Sequence, residues 1–174
     1  MGNSYWGPEF SRDEIQKAID ASAIAHNGFC VSELNEESVC KQAASVIADG
    51  KILGWFQGRA EWGPRALGNR SIVADPRRPD MKDILNRRIK HREIFRPFAP
   101  SILAESTGEW FEKSHPSPFM TMAYAVRPEK RQQIPAPTHV DGTGRLQTVT
   151  REANPRYWRS RPVNGSRNLI HRRS

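Results

Sequence analysis

The sequence predicts a mixed α/β domain with several short strands and helices. Three observations carry that expectation: capped segments with apolar residues at helical spacing, short apolar runs bounded by glycine, and no internal repeat. The first helix opens in "FSRDEIQKAIDAS", where Ser11 and Glu14 form a capping box and Ile15, Ala18 and Ile19 follow at helical spacing. A second is expected from Glu36 to Ala48, capped by Asn35, with Val39, Ala43, Val46 and Ile47 along one stripe. "GFCVSEL" between them reads as a short extended piece. "KILGWFQG", bounded by Gly50 and Gly58, reads as a buried strand, and "SIVAD" as another. "DPRRPD" is a turn, after which Pro79 and Asp80 open the helix "PDMKDILNRRIKH", with Met81, Ile84, Leu85 and Ile89 inward. "FAPSILAE" and "FMTMAYAV" are further strands. "RPEKRQQIPAPTHVDGTG" is a long connection, and "RLQTV" is the last strand. Residues 159–174 show neither strand nor helix periodicity and contain no acid, so a basic, disordered tail is expected there.

At 174 residues the chain can bury one proper core. No run approaches the ~20 apolar residues that span a bilayer. The start, "MGNSYWGPEFSRDE", has neither a basic n-region nor an apolar h-region, and Trp6 stands where a myristoylation signal wants Ser or Thr. Cys30 and Cys40 lack metal or redox spacing and read as reduced thiols of a cytoplasmic protein. Much of the net charge of +8 sits in the tail, which holds five arginines. Arginine outnumbers lysine 20 to 7, a bias that suits recognition of carboxylate or phosphate, although a high-GC genome gives the same bias.

Three clusters share a character. "GRAEWGPRALGNRS" holds Arg59, Glu61, Arg65 and Arg70 on a segment too glycine-rich for a helix. "RRIKHREIFRPFAPS" gathers Arg87, Arg88, Lys90, Arg92 and Arg96 around Glu93, and "THVDGTGRLQTV" places His139, Asp141 and Arg145 around two glycines. Glycine-rich turns leave backbone N–H groups uncovered, and nearby cations then neutralise an oxyanion, a pattern suited to a nucleotide triphosphate. Each cluster also has a structural reading. The basic helix can be a solvated face, an arginine of the loop can pair with Glu61, and His139 can be a structural hydrogen-bonder. No Walker A loop, HExxH, GxSxG or zinc spacing occurs. The residues alone support an anion-binding α/β domain.

"GRAEWGPRALGNRSIVADPR", "NRRIKHREIFRPFAPSIL" and "HVDGTGRLQTV", in this order, resemble the C-terminal domain of the carbamoyltransferases related to nodulation protein U, a group that includes antibiotic carbamoyltransferases of the tobramycin and cephamycin pathways. The likeness spans roughly residues 5–158. It implies a YrdC-like domain (partial, residues 1–158), a mixed, twisted β-sheet with flanking helices, that binds ATP and carbamoyl phosphate and, with Mg²⁺, forms carbamoyl adenylate. It also implies a separate N-terminal domain of ASKHA type that passes the carbamoyl group to a hydroxyl acceptor with a bound Fe²⁺. By the same resemblance Lys90, Arg92 and Arg96 contact phosphates or the carbamoyl group, with Arg59, Glu61, Arg65 and Arg70 in the arginine loop and His139, Asp141 and Arg145 in the third motif. Nothing here corresponds to the N-terminal domain. After "NPRYW" the family's TGxPxxLNTSFN-type motif gives way to "RSRPVNGSRNLIHRRS". The expectation is therefore a fragment with a sheet incomplete at its C-terminus, inactive alone, and served by a separately encoded ASKHA-type partner if one exists. The rival class is a nucleic-acid-binding module using the basic loops and tail.

Overall fold

A computed structural model describes residues 3–22, 24, 28–160 and 169–172. Helix α1 (Arg12–Ala21) starts as expected: Ser11 Oγ accepts the Glu14 N–H at 3.3 Å, and the Ser11 N–H donates to Glu14 Oε2 at 2.8 Å. Yet no α1 residue is buried, and Ile15 stays 41% exposed, so its apolar stripe does not face the core. In α2 (Glu36–Ala48), Asn35 Oδ1 accepts the Ser38 N–H at 2.9 Å, and Cys40, Ala43, Ala44 and Ile47 are buried.

Strands β1 (Leu53–Phe56) and β2 (Arg70–Ala74) pair antiparallel across the arginine-rich loop, with Trp55 opposite Ser71. Val73 joins the cluster around Ile47, Trp55 and Tyr157, whereas its neighbour Ala74 joins Met81, Leu85 and Phe98. Strand alternation thus puts α2 against one face and the segment of Met81 and Leu85 against the other. Helix α3 (Met81–Ile84) runs on as six π-wound residues, Leu85–Lys90, ending at His91 with φ 47°. Asp80 does not cap it with a side-chain hydrogen bond; its carboxylate holds Arg78 at 2.6 Å instead.

Strand β3 (Ala99–Leu103) is buried over its first four residues. The short helix α4 (Thr107–Trp110) leads to β4 (Ala123–Ala125), which pairs only with β5 (Thr143–Arg145) among the described residues. The single strand expected over "RLQTV" is two strands in two sheets, β5 and β6 (Gln147–Val149). The division falls at Leu146, which is fully buried with Ile102, Phe111 and Tyr124. "GFCVSEL" forms no strand. Helix α5 (Pro155–Arg159) is an element that the periodicity does not announce.

Of the basic terminal segment, residues 161–168 and 173–174 lie outside the described residues. Leu169–Arg172, expected to be irregular, is β7, and the main sheet runs β1-β2-β7-β3-β6. Its pairs are antiparallel except β3 with β6, which makes it a mixed sheet within an α/β fold.

A buried amide network holds the arginine loop to this scaffold. Asn154 Nδ2 donates to Asn69 Oδ1 at 3.0 Å and to the Tyr5 hydroxyl at 3.1 Å. Its Oδ1 accepts from Gln57 Nε2 at 2.6 Å and from the Tyr157 N–H at 3.2 Å, which caps α5. Asn154→Ala removes the cap and takes one hydrogen bond each from Gln57, Asn69 and the Tyr5 hydroxyl. Its expected cost is roughly 2–4 kcal/mol, read as a lower urea midpoint with unchanged m-value.

Candidate functional site

The arginine loop is built inward around one carboxylate oxygen. Glu61 Oε1 accepts the backbone N–H groups of Leu67 at 2.6 Å, Asn69 at 2.8 Å and Arg70 at 3.2 Å. Glycines at 63 (φ 126°) and 68 (φ 114°) supply the left-handed turns that such closure requires. Glu61 therefore shapes the loop and does not pair with a loop arginine. Arg70 is also a frame residue: its guanidinium donates to the carbonyls of Gln57 (2.5 Å), Gly58 (2.8 Å) and Asn69 (2.9 Å) and lies 3.6 Å over the Phe56 ring. Arg59 is exposed, and Arg65 is half-buried.

The second cluster turns at the π-wound end of α3. Arg92 comes inward, with Nε donating to Asn86 Oδ1 at 2.7 Å and its guanidinium 4.9 Å from the Phe98 ring centre. Arg96 points out and pairs with Glu93 at 3.0 Å, while Lys90 is half-buried. The third cluster is a tight turn at Gly142, where Asp141 Oδ1 accepts both the Thr143 N–H (2.9 Å) and the Thr143 hydroxyl (2.8 Å). The hydroxyl proton thus points to Asp141, and the Thr143 oxygen faces His139 Nδ1 at 3.0 Å as an acceptor. In neutral His139 this puts the proton on Nδ1 and leaves Nε2 bare.

Three of the expected cations converge. Burial pushes the Arg145 guanidinium below its ordinary value, and the like charges of Arg65 and Arg92 push the same way. Burial also lowers Arg92, with Arg96 adding to the effect and Glu93 opposing it. Among the described residues no carboxylate lies within ion-pair distance of Arg65, Arg92 or Arg145. Arg92 Nη2, Arg145 Nε and His139 Nε2 are buried without a hydrogen-bond partner. Arg65 and Arg145 line a cavity of about 520 Å³ whose other walls include Trp62, Leu67, Phe119 and Met120. Met120 holds φ 55°, an uncommon state for a residue with a Cβ, and Trp62 is 73% exposed. A groove of about 570 Å³ between α1 and β1 is larger, but its charged walls, Glu9, Glu33, Arg12 and Arg156, carry both signs. The unneutralised charge marks the smaller cavity as the candidate site.

Sequence reasoning missed Lys82, whose charge reaches His139, and the cavity walls Trp62 and Met120. Trp62 stands inside the quoted loop motif, whereas nothing in the sequence flags Met120. Among the described residues no group of three His, Cys, Asp or Glu is placed to hold a metal ion. No helix among them is long and apolar enough to cross a membrane.

Residues 44–160 match the family described as Carbamoyltransferase C-terminus. The chain belongs to that family. It is 49% identical to nodulation protein NolNO of Sinorhizobium fredii over 157 residues, covering 88% of this chain and 22% of that one. Against nodulation protein NolO of Bradyrhizobium diazoefficiens the identity is 45% over 157 residues, with 88% and 28% covered. An uncharacterized protein of Synechocystis is 42% identical over 178 residues, with 91% and 28% covered. The chain thus spans about a quarter of the length of these relatives. The resemblance carried by the three motifs and the family found agree.

His139 supplies the pH test. Burial lowers its pKa first, with Arg145 and Lys82 adding and Asp141 opposing. The folded state therefore binds fewer protons than the unfolded one between the depressed value and the ordinary one near 6.5. Its contribution to stability is complete above the ordinary value and is lost as pH falls toward the depressed one. Urea midpoints measured from pH 7.5 to 5 are expected to fall less steeply in His139→Gln than in the wild type.

Proposed function

We propose that this chain is the part of an O-carbamoyltransferase that binds ATP and carbamoyl phosphate and forms carbamoyl adenylate, within a YrdC-like domain. The observation that supports the reading best is the unneutralised cluster of Arg65, Arg92 and Arg145 beside a cavity with aromatic and aliphatic walls. Two guanidinium groups on one cavity wall, with the charge of Arg92 reaching Arg145 beside it, suit a compact polyanion better than an extended nucleic-acid backbone. The apolar walls suit the uncharged part of a nucleotide.

In this reading water releases phosphate from carbamoyl phosphate, and a carbamate oxygen then displaces pyrophosphate from the α-phosphorus of ATP. Negative charge grows on each departing group, and fixed guanidinium donors that are already desolvated compensate it without reorganising. Mg²⁺ would arrive with the ATP phosphates, whose oxygens supply much of its coordination in such sites. Transfer to a hydroxyl acceptor, and the iron it would use, would fall to a separate N-terminal domain of ASKHA type, which leaves this chain the adenylate-forming step.

The distribution of roles among the arginines makes the reading testable. Arg65→Ala and Arg145→Ala are each expected to weaken ATP binding by about 1.5–3 kcal/mol, the range for hydrogen bonds to charged groups. Arg70→Ala is expected to lower the melting temperature instead. Calorimetric titration with ATP and with carbamoyl phosphate measures the first effect. Equal affinities in the wild type and both cavity variants would remove the site.

A further inference from the structure

Asn86 has no charge and stands among five basic residues of its motif, yet it is fully buried and bonds in three directions. Its Nδ2 donates to the carbonyl oxygens of Ile94 at 3.2 Å and Arg96 at 3.1 Å. Its Oδ1 accepts from Arg92 Nε at 2.7 Å. Its own carbonyl accepts the His91 N–H and, at 3.1 Å, the Arg92 N–H. These bonds fix which end of the amide is which. Reversing it would set an NH₂ against the Arg92 N–H and a carbonyl against two carbonyls.

The arrangement solves a specific problem. Arg92 is pushed away by Arg96 and Arg145 and has no carboxylate to hold it. A carboxylate at position 86 would hold it but would cancel the charge that makes the site attractive to an anion. A neutral amide oxygen holds the guanidinium by Nε and leaves its charge intact. The two N–H bonds to Ile94 and Arg96 meanwhile close the turn that follows the left-handed His91.

We infer that Asn86 is a positioning residue that acts on the bound anion through Arg92, as a neutral clamp that aims the guanidinium without neutralising it. The anion-binding half of this inference rests on the function proposed above; the clamp itself does not.

Two measurements test it. The first needs no ligand: solvent exchange of the Arg92 Nε–H, followed by ¹⁵N NMR and assigned by its disappearance in Arg92→Lys. Exchange about tenfold or more slower than in an exposed arginine is expected in the wild type and in Asn86→Asp, where an oxygen remains to hold it, but not in Asn86→Ala. The second is a double-mutant cycle with pyrophosphate as the probe. Asn86→Ala is expected to weaken binding about tenfold in the wild-type background and less than about twofold in Arg92→Ala, since its effect passes through Arg92. Asn86→Asp is expected to weaken binding at least as much, despite the protected N–H, because it cancels charge. Should Asn86→Ala fail to fold, Asn86→Ser, whose side chain is one bond shorter and withdraws the oxygen from Arg92 Nε, takes its place in both arms.

Exchange that is fast in the wild type or unchanged by Asn86→Ala would overturn the clamp. Equal losses of affinity in the two backgrounds, or wild-type pyrophosphate binding in Asn86→Asp, would overturn the action through Arg92. A wild-type chain that protects the Arg92 N–H but binds no pyrophosphate would instead overturn the proposed function, together with the anion-binding half of this inference, and leave the clamp standing.

Discussion

Holding like charges together without neutralising them is the constraint on which the rest of this structure turns. Arg65 and Arg92 each repel Arg145 in a partly desolvated place, and the cheapest remedy would be an adjacent carboxylate. Each motif contains an acid that could serve, and two of the three are spent elsewhere. An oxygen of Glu61 is occupied by three backbone N–H groups, and one of Asp141 by the backbone and hydroxyl of Thr143. Only Glu93 pairs with an arginine, and that arginine is the outward-facing Arg96. The acids shape the turns, while the cations keep their charge.

Such a cluster stays in place only if the loops carrying it are rigid for other reasons. The amide network of Gln57, Asn69 and Asn154 supplies that rigidity in neutral groups, so it adds no field of its own at the site. Arg70 shows the same economy from the other side. Although it is one of the loop's three arginines, its donors are used on carbonyls of its own hairpin, and its charge lies over Phe56, away from the cavity. Composition alone cannot separate an arginine that frames a loop from one that faces a ligand. The difference lies in which carbonyls the fold brings within reach.

That limit explains how much could be read in the sequence. Helices α1 and α2 were legible because their caps are local: Ser11 with Glu14 and Asn35 with Ser38 need only three residues of spacing. β1, β2 and β3 were legible as apolar runs bounded by turns. The site motifs were legible as cationic loops, and the structure sets Arg145 within electrostatic reach of Arg65, Arg92 and His139. What failed was anything set by distant partners. "RLQTV" divides because Leu146 goes to a core assembled from four other segments. The apolar side of α1 meets no core to bury it. β7 depends on pairing with β2 and β3, which no periodicity in "LIHR" announces.

The unpaired nitrogens follow from the same constraint. A buried donor without an acceptor normally costs a protein stability, and Arg92, Arg145 and His139 each contribute one such buried, unpartnered nitrogen. Two are donors on arginines that remain charged. The third is a bare imidazole nitrogen, because Asp141 and Thr143 direct the His139 proton to Nδ1. A compact anion would meet donors already desolvated and already aimed, with little reorganisation left to oppose it. Part of the electrostatic strain of the free protein would then reappear as binding energy, and the anion would stabilise the folded chain in proportion to its occupancy. This coupling accounts for the division of labour between neutral clamps and charged contacts. A carboxylate at any of the clamp positions would make the free fold more comfortable and the site indifferent to what it binds.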